Sequence, residues 1–316
     1  MKKTLIALSV LVAAGSANAS INLLDKDGVI VDLSGSAEVQ LFQDIVPKNG
    51  DEDPTIRLDD GDISLNTTIP VNNNLNVVAG FNLDLHNSDN NGKPGDFFND
   101  ELYVGFQGKD FGTLTFGRQY LISDDAGISK DYELGTQALG FDATRGSEVV
   151  KYVYDNGMFY AGASHDINAD DNGGITDARL GARFAGLDVR GYYYTSEDVN
   201  APGEDITGYN LEAEYVIQAI SLAASYGHGE VENSAGVTTL DVDFISLAGS
   251  YTMGKNTFAL GYNLSDIDGG EATDNVYANV THQLHSNVKL YAELGWADGD
   301  NTEYDLGYVA GMEVLF

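Results

Sequence analysis

Apolar and mixed positions alternate one by one through the last stretch of the chain. Tyr304, Leu306, Tyr308, Ala310, Met312, Val314 and Phe316 share one parity; Asp305, Gly307, Val309, Gly311, Glu313 and Leu315 share the other. Successive side chains of a strand point to opposite faces, so a period of two sorts residues into two environments. The same rule sets Val31, Leu33, Ala37, Val39 and Leu41 against Asp32, Ser34, Ser36, Glu38 and Gln40. It also sets Leu75, Val77, Ala79, Phe81, Leu83 and Leu85 against Asn76, Asn82 and Asp84, and Val288, Leu290, Ala292, Leu294 and Trp296 against Lys289, Tyr291 and Glu293. The pattern predicts strands from Val29 to Phe316. Parity changes near Phe244 and around Asp59-Asp60-Gly61, where bulges are predicted.

The breaks between these runs come in two kinds. Lys109-Asp110-Phe111-Gly112, Asp155-Asn156-Gly157, Gly254-Lys255-Asn256 and His285-Ser286-Asn287 are short enough for tight turns. They alternate with longer acidic, Asn/Gly-rich breaks, such as 87–97, 197–205, 227–236 and 266–272. Short turns at one end and long loops at the other are the signature of an outer-membrane barrel, and about sixteen strands are predicted. In a soluble sandwich the apolar face would turn inward, and loop lengths would not alternate so strictly. The predicted fold class is therefore all-β: a transmembrane, antiparallel, up-and-down barrel.

The N-terminus agrees with export. Lys2 and Lys3 precede an apolar run from Leu5 to Ala14, and Ala17-Asn18-Ala19 closes it. This predicts a signal peptide over 1–19, cleaved after Ala19, and a single barrel domain over 20–316. Mean hydropathy is −0.18, which an alternating barrel tolerates because its apolar residues face outward in single file. The chain has no cysteine, so disulfides, thiol chemistry and a lipidated N-terminus are excluded. Net charge is −33, or −35 once Lys2 and Lys3 leave with the signal. That argues against nucleic acid as a partner and sets a field that draws cations.

One connection is too long for a tie between strands. Strand character stops near Tyr120 and resumes near Val149. Between them lie Asp124, Asp125, Asp131, Glu133 and Asp142, with apolar Leu121, Ile122, Leu134, Leu139 and Phe141 pointing to a packed insertion. Phe116-Gly117-Arg118-Gln119-Tyr120 opens it, Glu133-Leu134-Gly135 lies within it, Arg145 closes it, and Val150-Lys151-Tyr152 follows. With Phe316 at the end, these features in this order resemble a general porin of the Gram-negative outer membrane, over essentially the full length.

The resemblance implies a sixteen-stranded barrel in the outer membrane that forms a homotrimer. Its third loop, here 119–145, folds inward and constricts the pore. An arginine ladder of Arg57, Arg118 and Arg145 would face Asp124, Asp125, Asp131, Glu133 and Asp142, and the loop over 87–97 would reach over a neighbouring subunit. Tyr132 stands where the family has proline, and Thr136 where it has a second glycine. By parity Arg118 shares the face of Leu114 and Phe116, where a charge at mid-membrane costs about 2–4 kcal/mol. The chain is therefore expected to turn at Gly117 and bring Arg118 inward.

Alternation itself aims Arg179, Arg183 and Arg190 into the lumen, and Lys151 joins them; inward acids such as Glu212 and Glu214 are their structural partners. The five histidines lack metal-ligand spacing, and no nucleophile motif appears. No metal, cofactor or enzymatic activity is expected. The expected function is passive diffusion of small hydrophilic solutes and ions, with cations preferred. The expected surroundings are outer-membrane lipid and lipopolysaccharide. A sugar-selective channel and a barrel-scaffold adhesin or receptor are the alternatives.

Overall fold

The computed structural model describes residues 20–48, 53–85, 97–141, 143–167, 174–197 and 204–316. The predicted signal peptide, Asp142 and most of the 87–97 loop lie outside them. Seventeen strands appear among the described residues: β1 Ser20–Lys26, β2 Val29–Gln43, β3 Thr55–Asn72, β4 Leu75–Leu85, β5 Phe97–Gly108 and β6 Gly112–Tyr120. After the insertion come β7 Arg145–Asp155, β8 Phe159–Asp166, β9 Ile175–Phe184, β10 Leu187–Glu197, β11 Asp205–Ile217 and β12 Ile220–Glu232. The chain ends with β13 Thr238–Met253, β14 Asn256–Ile267, β15 Ala272–His285, β16 Val288–Gly299 and β17 Gly307–Leu315.

Each strand pairs antiparallel with the next, and β17 pairs back with β2, so β2 to β17 close a sixteen-stranded barrel. Closure leaves no unpaired backbone edge along the ring, which a bilayer demands. β1, which the alternation did not predict, completes the seam. It pairs with β2 from Val29 to Ser34, while β17 pairs from Ser36 to Gln43. The Phe316 N–H donates to the Gly35 carbonyl at 3.0 Å, and the Gly35 N–H to the Phe316 carbonyl at 2.8 Å. The β1–β2 turn, Asp27-Gly28, has positive φ at both residues, as a two-residue hairpin turn favours.

The barrel is apolar outside and polar inside. On β16, Leu290, Leu294 and Trp296 are exposed, while Tyr291, Glu293 and Ala297 on the other parity are buried. On β2, Val39 and Leu41 are exposed, and Ser36, Glu38 and Gln40 are buried. The bulge predicted at Asp59-Asp60-Gly61 is present: Ala37 pairs with Gly61, but Val39 pairs with Leu58. The bulge predicted near Phe244 is not, because β13 keeps register with both neighbours there. Phe244 shares the parity of buried Val242 and Ser246, hence of the lumen. The inner face of β12 and β13 carries other apolar residues, Ala223 and Ala248, packed by Ile128 of the insertion. β17 also starts later than the alternation predicts: Tyr304 forms only an isolated bridge, to Pro47.

Candidate functional site

The insertion between β6 and β7 runs inside the barrel, and its backbone contacts trace its path. It starts with a 3₁₀ turn, Ile122–Asp125. The Ile122 N–H donates to the Ser164 hydroxyl on β8 at 2.9 Å, and the Ser123 N–H to Asp177 on β9 at 2.6 Å. Further along, the Gly127 N–H donates to Glu212 on β11 at 2.5 Å, and the Lys130 N–H to the Tyr277 hydroxyl on β15 at 2.8 Å. Lys130 Nζ reaches Glu214 at 2.8 Å.

Glu293 on β16 then holds the tip. Its carboxylate accepts the consecutive N–H groups of Tyr132, Glu133 and Leu134 at 2.7, 2.9 and 2.7 Å, and the Asn279 amide at 2.9 Å. Hydrogen bonds to an ionised acceptor are worth about 1.5–3 kcal/mol each, so this carboxylate is a strong anchor. Apolar packing fixes the same point. Leu134 is fully buried with Ile45, Tyr291, Ala297 and Val309, and Tyr132 stacks on Tyr291 with ring centroids 3.6 Å apart. The return arm lays Leu139 and Phe141 over Gly227 and Gly208; a Cβ on the strand would collide with Leu139 at 2.7 Å and crowd Phe141 at 3.1 Å. The Leu121 N–H finally donates to the Thr144 carbonyl at 2.7 Å and closes the loop.

The insertion thus covers the inner wall from β8 through β16. Its hydrogen bonds and ion pairs run to β2, β3, β8, β9, β10, β11, β15 and β16. The other side is acidic. It carries Asp60 and Asp62 on β3, Asp84 on β4, and Asp100 and Glu101 on β5, beside Glu38 on β2. Glu38, Asp60 and Glu313 bring carboxylate oxygens within 4.8 Å of one another. Ser36 donates to Asp60 at 3.0 Å, Tyr291 to Glu38, and Lys289 pairs with Glu313.

The predicted site residues divide into several groups. Arg57 Nη2 lies 2.7 Å from Glu133 and 3.0 Å from Asp59, its Nε donates to Gln40 at 2.9 Å, and it sits over Phe42. Arg179 pairs with Asp125 at 2.5 Å. These two pairs join insertion acids to wall arginines among the described residues. Arg145 instead binds Asp100 and stacks over Phe98, both on β5. Asp131 turns back on its own loop, accepting the Gly135 N–H at 2.9 Å and the Ser129 hydroxyl. Asp124 accepts the Thr144 hydroxyl at 3.0 Å, and burial holds its carboxyl above the usual carboxylate range.

Arg118 departs from expectation. It pairs in register with Leu102, which is exposed on the outer face, while buried Gln119 takes the inward position. Gly117 does adopt a left-handed φ of 130°, but Thr115, Gly117 and Gln119 keep one parity across it. Arg118 therefore stays on the outer side and has no ion pair among the described residues.

Lys151 donates to the Tyr120 carbonyl at 2.8 Å, at the root of the insertion. Arg183 pairs with Asp155 at 2.8 Å and lies over Tyr160. Arg190 binds Glu212 at 2.5 Å. Sequence reasoning missed Asp177, Tyr277, Asn279, Glu293 and Lys130 as parts of the site. The signal available was inward parity on their strands, which marks a polar side chain as lumen-facing without saying what covers it.

A family model described as Gram-negative porin matches residues 5–302. Porin-like protein H of Photobacterium profundum is 48% identical over the full length of both chains. A loop L8 deletion mutant of OmpT, an outer membrane protein of Vibrio cholerae, has a similar fold, with a TM-score of 0.78 at 23% identity over 92% of this chain and 100% of that one. A trimer form of OmpT folded in vitro matches with a TM-score of 0.74 at 21% identity, covering 91% and 99% of the two chains.

Proposed function

The chain belongs to the Gram-negative porin family and forms a channel in the outer membrane, and on that premise we propose that it is a cation-preferring pore for passive diffusion of small hydrophilic solutes, with the insertion as its constriction. One observation carries this reading: most of the contacts that seat the insertion run to the other side of the barrel from the wall that holds Asp60, Asp62, Asp84 and Glu101. Meanwhile Arg179 and Arg190 are held against Asp125 and Glu212 on the covered side. A passing ion meets carboxylates on one flank, with Arg57 and Arg145 as the opposing cations. Fixed charges lining a narrow aqueous path set ion preference through their local field.

Tyr192 and Tyr194, two inward aromatics that could join a sugar track, are buried, and Phe141 of the return arm stacks on Tyr194. That favours general diffusion over sugar selectivity. Residues 1–19 act as the cleaved export signal, which makes Ser20 the first residue of the mature barrel. The exposed apolar belt, with Leu180, Leu260 and Leu294 among its members, meets lipid and, in the outer leaflet, lipopolysaccharide. By analogy with the OmpT trimer form, the working unit is a homotrimer.

The test is reversal potential in a planar bilayer under a salt gradient. Cation preference should weaken as added salt shortens the reach of the field, about 10 Å at 0.1 M. Anion preference would mean that Arg57 and Arg145 govern the constriction.

A further inference from the structure

Arg190 and Glu212 look, from sequence, like two opposed charges of the lumen, but their geometry serves something else. Glu212 Oε1 accepts the Gly127 N–H at 2.5 Å and the Asn210 amide at 2.7 Å, while Oε2 accepts Arg190 Nε at 2.5 Å. Arg190 Nη2 in turn donates to the Gly127 carbonyl at 3.3 Å. The two halves of one ion pair therefore engage both backbone groups of a single loop residue. The Glu212 side chain is 0% exposed and that of Arg190 11%, so neither charge is offered to passing ions.

Gly127 has φ of 115°, a region closed to residues with a side chain. It lies between the 3₁₀ turn, held by Ser164 and Asp177, and the stretch held by Tyr277 and Glu293. The loop changes course here, at a residue whose N–H needs an acceptor and whose carbonyl needs a donor. A buried carboxylate–guanidinium pair supplies both in fixed order, with charge-assisted bonds on each side.

We infer that Arg190 and Glu212 are positioning residues: together they clamp Gly127 and so set where the inserted loop crosses the lumen. This rests on the reading that the loop is the constriction, so the test separates the two.

Hydrogen exchange on the whole folded protein in detergent reads the clamp directly, through the amides of 123–130. The double variant Arg190→Met with Glu212→Leu removes both charges, leaves net charge unchanged and fills the site with apolar bulk, which buried pairs often tolerate. Exchange across 123–130 should rise about tenfold or more. Should that variant fail to fold, Gly127→Ala keeps both charges, strains the same point and should raise exchange likewise. The swap Arg190→Glu with Glu212→Arg restores an ion pair but presents a donor to the Gly127 N–H, so protection should stay low. Native protection in the double variant or in Gly127→Ala would overturn the clamp, and so would its recovery in the swap. Faster exchange with unchanged single-channel conductance would leave the clamp standing and refute the constriction.

Discussion

Arg57 Nη2 lies 2.7 Å from the carboxylate of Glu133, joining β3 to the tip of the inserted loop across the barrel seam. The pair is about one-fifth exposed on each side, so solvent screens it only in part. Arg57→Ala should leave Glu133 beside Asp59 and the Gln40 amide, which donates to it at 2.9 Å. The expected outcome is a severalfold rise in the cation-to-anion permeability ratio and a larger conductance, read from reversal potential and single-channel recording. Arg118→Ala is the matched comparison. Because Arg118 sits in register with outward Leu102, its loss should leave ion preference where it was. Equal shifts from the two substitutions would place Arg118 in the lumen after all.

The barrel was legible in the sequence because a single rule, alternation, governs nearly every strand. Leu121, Ile122 and Leu134 also announced a packed insertion, and all three are fully buried. Other features escaped for physical reasons. The course of the loop depends on strand acids such as Asp177 and Glu293, and an inward acid reads the same whether it faces water or anchors a backbone. Arg118 was moved inward on cost alone, yet Thr115, Gly117 and Gln119 hold the inner face without a break in parity. The apolar parity shifts from Leu240, Val242 and Phe244 to Ile245, Leu247 and Tyr251, which predicts a bulge, but the strand runs on regularly because its inner face also holds apolar residues, covered by Ile128. β1 was missed because its seven residues show no alternation of their own; pairing with the lower half of β2 defines it.

Gly295 tests the seat of the loop tip. A Cβ added there would lie 2.4 Å from Leu134 Cβ and 3.1 Å from the Leu134 carbonyl oxygen. Gly295→Ala should therefore displace the tip and break the Glu293 hydrogen bonds next to it, while the paired strands persist. Altered conductance with frequent closures is expected from a porin that still migrates as a heat-modifiable oligomer. Gly140→Ala serves as control, since nothing lies within 4 Å of a Cβ at that position. Matching records from the two variants would mean that the tip is free of β16.

Leu134 itself ties the tip to the β2–β3 connection, because it packs with Ile45 just beyond β2. Leu134→Ala removes fully buried apolar volume, a change that costs about 2–5 kcal/mol where the surroundings cannot collapse. The loss falls on the loop rather than on the barrel, whose strands are paired independently of it. Limited proteolysis should then cut within 121–144 faster than in the parent, with β circular dichroism unchanged. Resistance equal to the parent's would mean that Glu293 alone secures the tip.

The acidic wall provides the most direct test of ion preference. Asp62 and Asp84 face each other across β3 and β4, two like charges on adjacent strands with Ser64 and Asn82 beside them. Like charges placed opposite each other repel; Arg145 lies near enough to Asp84 to offset part of that repulsion, and a cation passing along the wall would offset more of it. Asp62→Asn with Asp84→Asn keeps size and hydrogen-bonding capacity and removes the repulsion. The double variant should fold at least as well as the parent and lose much of its cation preference, most clearly at low salt where screening is weakest. Each single variant should move reversal potential in the same direction by a smaller step. If neither changes it, the selective field lies elsewhere, and the acids of 121–141 become the next to neutralise.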